Sequence, residues 1–145
     1  MSEMKEKKLI VLDKPNINNR IYSTETITKS ITDLGEVYGC LEMPLNRGKP
    51  EPAEISHVVE NLQIKDGFLV GNIRVLDTEK GKLLRDMLDA GISTNFRTAG
   101  VGLFVPREDG VIEVTNFTLM SVNLVYTAQW LSLIHISEPT RRTPI

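Results

Sequence analysis

Histidine side chains, which could act as a general base in catalysis, are scarce in this chain. It has two histidines, His57 and His135, among 145 residues. Acyl transfer needs a base beside a hydroxyl or thiol nucleophile, and imidazole is the most common base in proteins. Two histidines without an HExxH pattern do not form the usual multi-histidine zinc site. Because the one thiol, Cys40, lies in an alternating apolar segment, we expect it to be buried and inert.

Composition and motifs exclude several further classes of protein. The chain has no GxxxxGK[ST] loop, and Gly100-Val101-Gly102 lacks the third glycine of a dinucleotide-binding turn. We therefore expect no cofactor and no metal. A net charge of −2 gives no basic footprint for nucleic acid, and no apolar run reaches the length of a membrane span. A single cysteine excludes an internal disulfide and fits a reducing cytoplasm.

Two helices are predicted to lie among these groups. The first covers residues 24–34, with Ser23 or Thr24 as the cap and Gly35 as the stop. The second covers residues 79–90, with Thr78 as the cap and Gly91 as the stop. Its apolar stripe consists of Leu83, Leu84, Met87 and Leu88.

The remaining periodic segments predict strands. Asp66-Gly67 joins two β-rich runs, which is a strong hairpin signal because both residues tolerate positive φ. Glu108-Asp109-Gly110 marks a second turn, and residues 16–19 read as a loop. The predicted strands cover residues 8–12, 37–41, 55–64, 68–76, 101–105, 111–114 and 117–126. The fold class is therefore α+β: mainly an antiparallel sheet or a small β-barrel, with two or more packed helices.

The C-terminal segment is set apart from this fold. Residues 131–141 (LSLIHISEPTR) resemble the conceptual translation of a sequencing adapter, and they show no clean period of 2 or 3.6. We expect a single domain over residues 1–130 and an adapter-derived tail over residues 131–145. On this interpretation the natural chain continues past about Gln129, and His135 plays no part in the chemistry. An ordinary frayed terminus is the alternative.

Five motifs occur in a defined order and spacing along the chain. They are Asn16-x-Asn18-x-Arg20-x-Tyr22, residues 39–44 (GCLEMP), residues 55–58 (ISHV), residues 71–85 (GNIRVLDTEKGKLLR) and residues 117–125 (FTLMSVNLV). In sequence, order and spacing they resemble the prohead core serine proteases of tailed phages, and the resemblance covers residues 9–126. It implies a fold shared with herpesvirus maturation proteases.

The departures from this family fall on its chemistry. The resemblance implies a histidine where Met43 stands, an aspartate where Asn123 stands, and a serine pair where Arg97 and Thr98 stand. It also implies an arginine at Ala99. A thioether takes up no proton at neutral pH, so Met43 cannot act as the general base.

Three residues remain as candidates for catalysis. Thr98 keeps a hydroxyl, and His57 could activate it if the strands bring the imidazole within about 3 Å. In a second, poorer alignment Ser93 begins the serine pair. The alternative is that His57 is a strand histidine with hydrogen bonds inside the fold, and that Thr98 is an ordinary turn residue.

Three functions follow from the resemblance and its departures. The first is a capsid-maturation serine endopeptidase that acts on phage scaffold and capsid proteins, impaired or inactive in this copy. The second is a catalytically dead scaffold or core structural protein of the prohead. The third is an unrelated β-rich binding module. The first two imply phage scaffold and capsid proteins as partners and a location in the host cytoplasm within the assembling prohead. They leave a homo-oligomer open.

Overall fold

The chain forms two β-sheets and two helices. The computed structural model describes residues 5–45, 47–92 and 94–125. The strands are β1 (Lys5–Val11), β2 (Arg20–Tyr22), β3 (Glu36–Cys40), β4 (Ile55–Lys65), β5 (Phe68–Val75), β6 (Asn95–Pro106) and β7 (Ile112–Val125). The helices are α1 (Thr24–Ile31) and α2 (Glu79–Asp89), and Pro52–Glu54 forms a 3₁₀ turn.

The two sheets enclose the main hydrophobic core. One sheet has the order β1-β5-β4-β3 and is antiparallel throughout, and the other has the order β2-β7-β6. The β6–β7 pair is antiparallel, whereas β2 lies parallel to β7. The core contains Ile10, Val59, Leu69, Val114 and Val122, among other residues. The predicted α+β fold with mainly antiparallel strands is thus confirmed.

The β4–β5 hairpin turns where the sequence predicts it. Asp66 has φ 52° and Gly67 has φ 83°, so both central residues of the turn are in the left-handed region. This is the backbone of the two-residue turn that matches the twist of paired strands. Its register pairs Lys65 with Phe68.

Both predicted helices form, with different accuracy at their ends. Helix α2 begins after Thr78, whose hydroxyl accepts the N–H of Gly81 at 2.9 Å. Leu84 and Met87 are buried, whereas Leu83 lies at the margin of the apolar stripe and is 47% exposed. Neither helix within the described ranges is long and apolar enough to cross a membrane.

Helix α1 ends three residues earlier than the sequence predicts. Its start is correct, because the Ser23 hydroxyl accepts the N–H of Thr26 at 3.1 Å. The hydroxyls of Thr28 and Thr32 donate back to the carbonyls four residues earlier, at 2.7 and 2.6 Å. Such bonds compete with the helix ladder, and the last regular residue is Ile31.

Strands β2 and β6 differ from the sequence prediction. Strand β2 was missed because its three residues are too few to show an alternating pattern. Strand β6 begins at Asn95, six residues before the predicted start, so Thr98 lies in a strand and its assignment to a turn is wrong. Strand β7 unites the two predicted segments 111–114 and 117–126 across a bulge at Asn116, where φ is 50°.

Candidate functional site

A cleft of about 410 Å³ opens on the three-stranded sheet. One wall is β6, a second is the segment that follows β3, and the floor comes from β2 and β7. The lining residues are Arg20, Tyr22, Met43, Pro44, Leu45, Arg47, Gly48, Arg97, Thr98, Ala99, Gly100, Gly102, Phe104 and Phe117. The positions of Met43, Arg97 and Thr98, which were singled out from the sequence, therefore meet in one cavity.

The loop before β2 is built by its own side chains. The side-chain oxygen Oδ1 of Asn16 accepts the backbone N–H groups of Asn18 and Arg20 at 2.9 and 3.0 Å. Asn19 has φ 60°, and its amide donates to the carbonyl of Gly110 at 2.7 Å. These bonds fix the loop against the β6–β7 turn and direct the next residues into β2.

Strand β2 supplies the cleft floor. The Arg20 guanidinium lies 4.7 Å from the ring centroid of Phe104 on β6. The rings of Tyr22 and Phe117 make an edge contact at 5.4 Å and 79°. The Arg and Tyr of the N-x-N-x-R-x-Y motif thus shape the cavity, which the sequence alone did not reveal.

Met43 and Asn123 are in contact. The Met43 sulfur lies 3.6 Å from the side-chain nitrogen of Asn123, and Asn123 is 1% exposed. The orientation of the amide follows from its other partner, because its oxygen accepts the N–H of Cys40 at 3.0 Å. The two positions at which the family resemblance implies histidine and aspartate are therefore neighbours, joined here by a neutral contact.

Thr98 and Arg97 lie on β6, opposite Val122 and Asn123 of β7. Both line the cleft; Thr98 is half-buried and Arg97 is exposed. Within the described part of the chain, the Thr98 hydroxyl makes no hydrogen bond to an imidazole. Ser93, the nucleophile of the second alignment, lies outside the described residues.

His57 lies inside the fold, apart from the cleft lining. Its side chain is fully buried. Its Nε2 lies 2.6 Å from the carbonyl oxygen of Val122, which only accepts, so Nε2 carries the proton. Nδ1 therefore accepts the hydroxyl of Ser56 at 2.7 Å. With both nitrogens engaged, the structure does not bring His57 and Thr98 together as base and nucleophile.

Burial also sets the charge of this imidazole. Desolvation lowers the pKa of His57 to about 4, although the bond to the Val122 carbonyl opposes the change. The Phe96 ring packs edge-on against it at 5.0 Å. Gly39 lies so close that a β-carbon there would overlap the imidazole and the Val122 carbonyl. His57 is thus a neutral, hydrogen-bonded histidine of the core, as the sequence alternative describes.

Cys40 agrees with its prediction as a buried, inert thiol. Its side chain is 3% exposed and forms no disulfide. Burial raises the pKa of the thiol to about 11, and the charges of Glu54 and Glu51 add to the effect. The thiol is therefore protonated at neutral pH and is a poor nucleophile.

The cleft is cationic. Arg20, Arg47 and Arg97 line it, and no acidic side chain is among the described lining residues. Guanidinium groups that converge on a concave surface favour anionic ligand groups. Across the described residues there is no cluster of three or more His, Cys, Asp or Glu side chains that could hold a metal ion.

Comparison with known proteins gives one informative likeness. No protein-family model matches the sequence. The search of curated proteins gives no match either. Among solved structures, the capsid assembly protease gp21 of bacteriophage T4 superposes with a TM-score of 0.77 at 21% sequence identity. The alignment covers 86% of this chain and 81% of that chain. The chain therefore has a phage prohead protease-like fold.

Proposed function

We propose that this chain acts in phage head assembly as a prohead protease relative that binds segments of scaffold or capsid proteins, with peptide hydrolysis lost or severely impaired. The observation that carries the proposal is the contact between Met43 and Asn123 beside Thr98. The family resemblance implies the proton-transferring pair of a protease at the first two positions. A thioether–amide contact stands at those two positions, and Met43 lines the same cleft as Thr98.

The loss of hydrolysis follows from the chemistry of the cleft. A threonine hydroxyl becomes a nucleophile only when a base removes its proton. Met43 cannot accept a proton, and Asn123 is a neutral amide. His57 is buried with both nitrogens engaged, and its lowered pKa makes it a weak base. None of these side chains provides the general base that Thr98 requires.

Binding of a peptide is supported by the strand that forms the cleft wall. Strand β6 is at the edge of its sheet, and its residues Thr98, Gly100 and Gly102 line the cavity. An extended segment can pair with such an edge through its backbone, and side-chain pockets then add specificity. Three arginines around the same cavity favour an acidic segment.

The alternative is a structural component of the prohead that binds no segment in this cleft. We also propose the kinship with herpesvirus maturation proteases and the location within the assembling prohead in the host cytoplasm, both of which follow from the sequence resemblance. An unrelated binding module is disfavoured by the T4 protease fold. The proposal includes no cofactor and no metal, and it leaves oligomerisation open.

One experiment separates these functions. Cognate scaffold and capsid fragments are incubated with the wild-type chain and with a Met43→His, Arg97→Ser, Asn123→Asp triple variant, and the products are analysed by mass spectrometry. Fluorescence anisotropy measures binding of the same fragments. We expect binding by both proteins and faster cleavage by the variant. The matched control, Met43→Leu, should bind without cleaving.

Two results would contradict the proposal. Cleavage by the wild-type chain as fast as by the triple variant would show that the cleft has kept its activity. Absence of binding by the wild-type chain to every scaffold and capsid fragment would favour the purely structural role.

A further inference from the structure

We infer that Ser121 is a positioning residue. It holds in place a segment that forms one wall of the cleft and can open, and we call this segment the strap. The strap is the segment 41–50 between β3 and the 3₁₀ turn, and its described part contains neither helix nor strand. It supplies Met43, Pro44, Leu45, Arg47 and Gly48 to the cleft lining. Its position therefore decides how much of the cleft a ligand can enter.

Two buried side chains of β7 hold this strap. The Ser121 hydroxyl donates to the Gly48 carbonyl at 2.5 Å, and Asn123 contacts Met43 and the backbone N–H of Cys40. The amide nitrogen of Asn123 also donates to the Ser121 oxygen at 2.9 Å. Because that nitrogen only donates, the Ser121 proton is committed to Gly48, and the two anchors form one hydrogen-bonded unit.

Gly48 brings the strap close to β6. Gly48 is buried while its neighbours Arg47 and Lys49 are exposed. Its φ is 79°, and a β-carbon there would lie 2.8 Å from the β-carbon of Ala99. The close approach depends on the missing side chain and on the left-handed backbone, so the wall closes only with glycine at this point.

The outer part of the strap is poorly anchored. Leu45, near its middle, is 89% exposed. Segments with exposed backbone and few buried apolar contacts open locally without global unfolding. The Ser121–Gly48 bond is therefore the contact whose loss should release the wall while the sheets stay intact.

Limited trypsin digestion of the full chain tests this inference. The Arg47–Gly48 bond lies in the strap, and Lys49 precedes proline and resists trypsin. The Lys82–Leu83 bond lies inside α2 and reports global unfolding. The measured quantities are the two cleavage rates, each compared with that of the wild-type chain and followed by mass spectrometry under native conditions.

Ser121→Ala should raise the cleavage rate at Arg47–Gly48 about fivefold to tenfold, as expected for the loss of one buried hydrogen bond. The matched control is Ser56→Ala, which removes another fully buried hydroxyl whose partner is His57. It should raise the rate at Lys82–Leu83 and leave the rate at Arg47–Gly48 within about twofold, because its bond is not broken when the strap opens. An unchanged rate at Arg47–Gly48 in Ser121→Ala, or an equal rise of that rate in Ser56→Ala, would overturn the inference.

A second pair of variants reaches the strap without touching Ser121. Gly48→Ala should also raise the cleavage rate at the bond after Arg47, because its β-carbon meets Ala99. Adding Ala99→Gly removes that overlap and leaves only the strain of positive φ, so this rate should fall part of the way back to the wild-type value. No effect of Gly48→Ala on this rate would contradict the strap.

The claim that an open strap admits a peptide rests on the proposed function. The digestion test does not rest on it. Failure of the digestion test would remove the strap and leave peptide binding standing. Failure of scaffold and capsid fragments to bind would remove the proposed ligand and leave the strap.

Discussion

Replacing Asn123 with aspartate should destabilise this protein, and the effect should depend on residue 43. Asn123 is 1% exposed, and its amide nitrogen faces the Met43 sulfur and the Ser121 hydroxyl. A carboxylate there has no cationic partner among these contacts, and Arg97, which pairs opposite it on β6, is exposed. Leaving a buried charge uncompensated costs about 3–5 kcal/mol, so we expect Asn123→Asp to lose about 3 kcal/mol of unfolding free energy at pH 8.

The sign of the pH dependence follows from burial. Desolvation raises the pKa of the introduced carboxyl in the folded state above its unfolded value. The folded state then binds more protons than the unfolded state, so stability falls as pH rises through the folded pKa. The variant should be closest to wild type near pH 4 and furthest from it at pH 8. Comparison at equal pH cancels the titration of groups common to both proteins.

A histidine at position 43 should recover much of the loss. An imidazolium beside the introduced carboxylate would supply the missing partner, so a double-mutant cycle over Met43→His and Asn123→Asp should give a coupling energy of about 2 kcal/mol. Urea unfolding of the four proteins at pH 6 and pH 8 measures it. The control, Met43→Leu with Asn123→Asp, should recover nothing.

Additivity of the two changes within about 0.5 kcal/mol would refute the reasoning. It would mean that positions 43 and 123 do not form one contact. The idea that a neutral pair has replaced a proton-transferring pair would then lose its structural basis.

Three further predictions test the interior and the turns. The pKa of His57 is about 4 in the folded state and about 6.5 in the unfolded state, so this residue should lower the free energy of unfolding by about 3 kcal/mol as pH drops from 7 to below 4. Urea unfolding of His57→Gln should therefore show a weaker dependence of stability on pH. An equally steep dependence would contradict the assignment of His57 as a buried neutral histidine. Gly39→Ala should lower the melting temperature by more than about 10 °C or prevent folding, since its β-carbon overlaps the Val122 carbonyl; a change of only a few degrees would disagree with the close packing. Gly67→Ala should lower the free energy of unfolding by about 1 kcal/mol, because φ at this position is 83°. Gly35→Ala, with open space around it, should be nearly neutral. Equal losses for the two variants in chemical denaturation would contradict the turn geometry.

Local signals in the sequence were sufficient for the β4–β5 turn and for the start of α2. Asp66-Gly67 encodes its turn through two residues that accept positive φ, and Thr78 encodes the start of α2 through a hydroxyl cap. Strand β2 has three residues and no local signal, since its place depends on a parallel ladder with β7. Leu83 belongs to the apolar stripe by spacing, yet it lies outside the contact that buries Leu84.

The site was only partly predictable, because its contacts join residues that are far apart in the sequence. The motif comparison indicated Met43 and Asn123 separately, but their contact joins residues 80 apart and depends on how β3 and β7 pack. The Ser121–Gly48 bond spans 73 residues and left no pattern in the sequence. Whether His57 reaches Thr98 depended on the register between sheets, which no local periodicity encodes.

The extent of the tail remains a prediction, because residues 126–145 lie outside the described residues. The single-domain interpretation of residues 1–130 stands on the same footing. Within the described residues, both sheets lie between residues 5 and 125, and the described lining of the cleft comes from the three-stranded sheet and the strap.

Reaction with a fluorophosphonate probe tests the central claim without knowledge of the substrate. An activated hydroxyl in the cleft would displace fluoride, form an oxygen–phosphorus bond and lose its proton to a neighbouring base. For the wild-type chain we expect no phosphonylated peptide by mass spectrometry after prolonged incubation. Stoichiometric labelling of Thr98 would show that a base acts on this hydroxyl and would contradict the account.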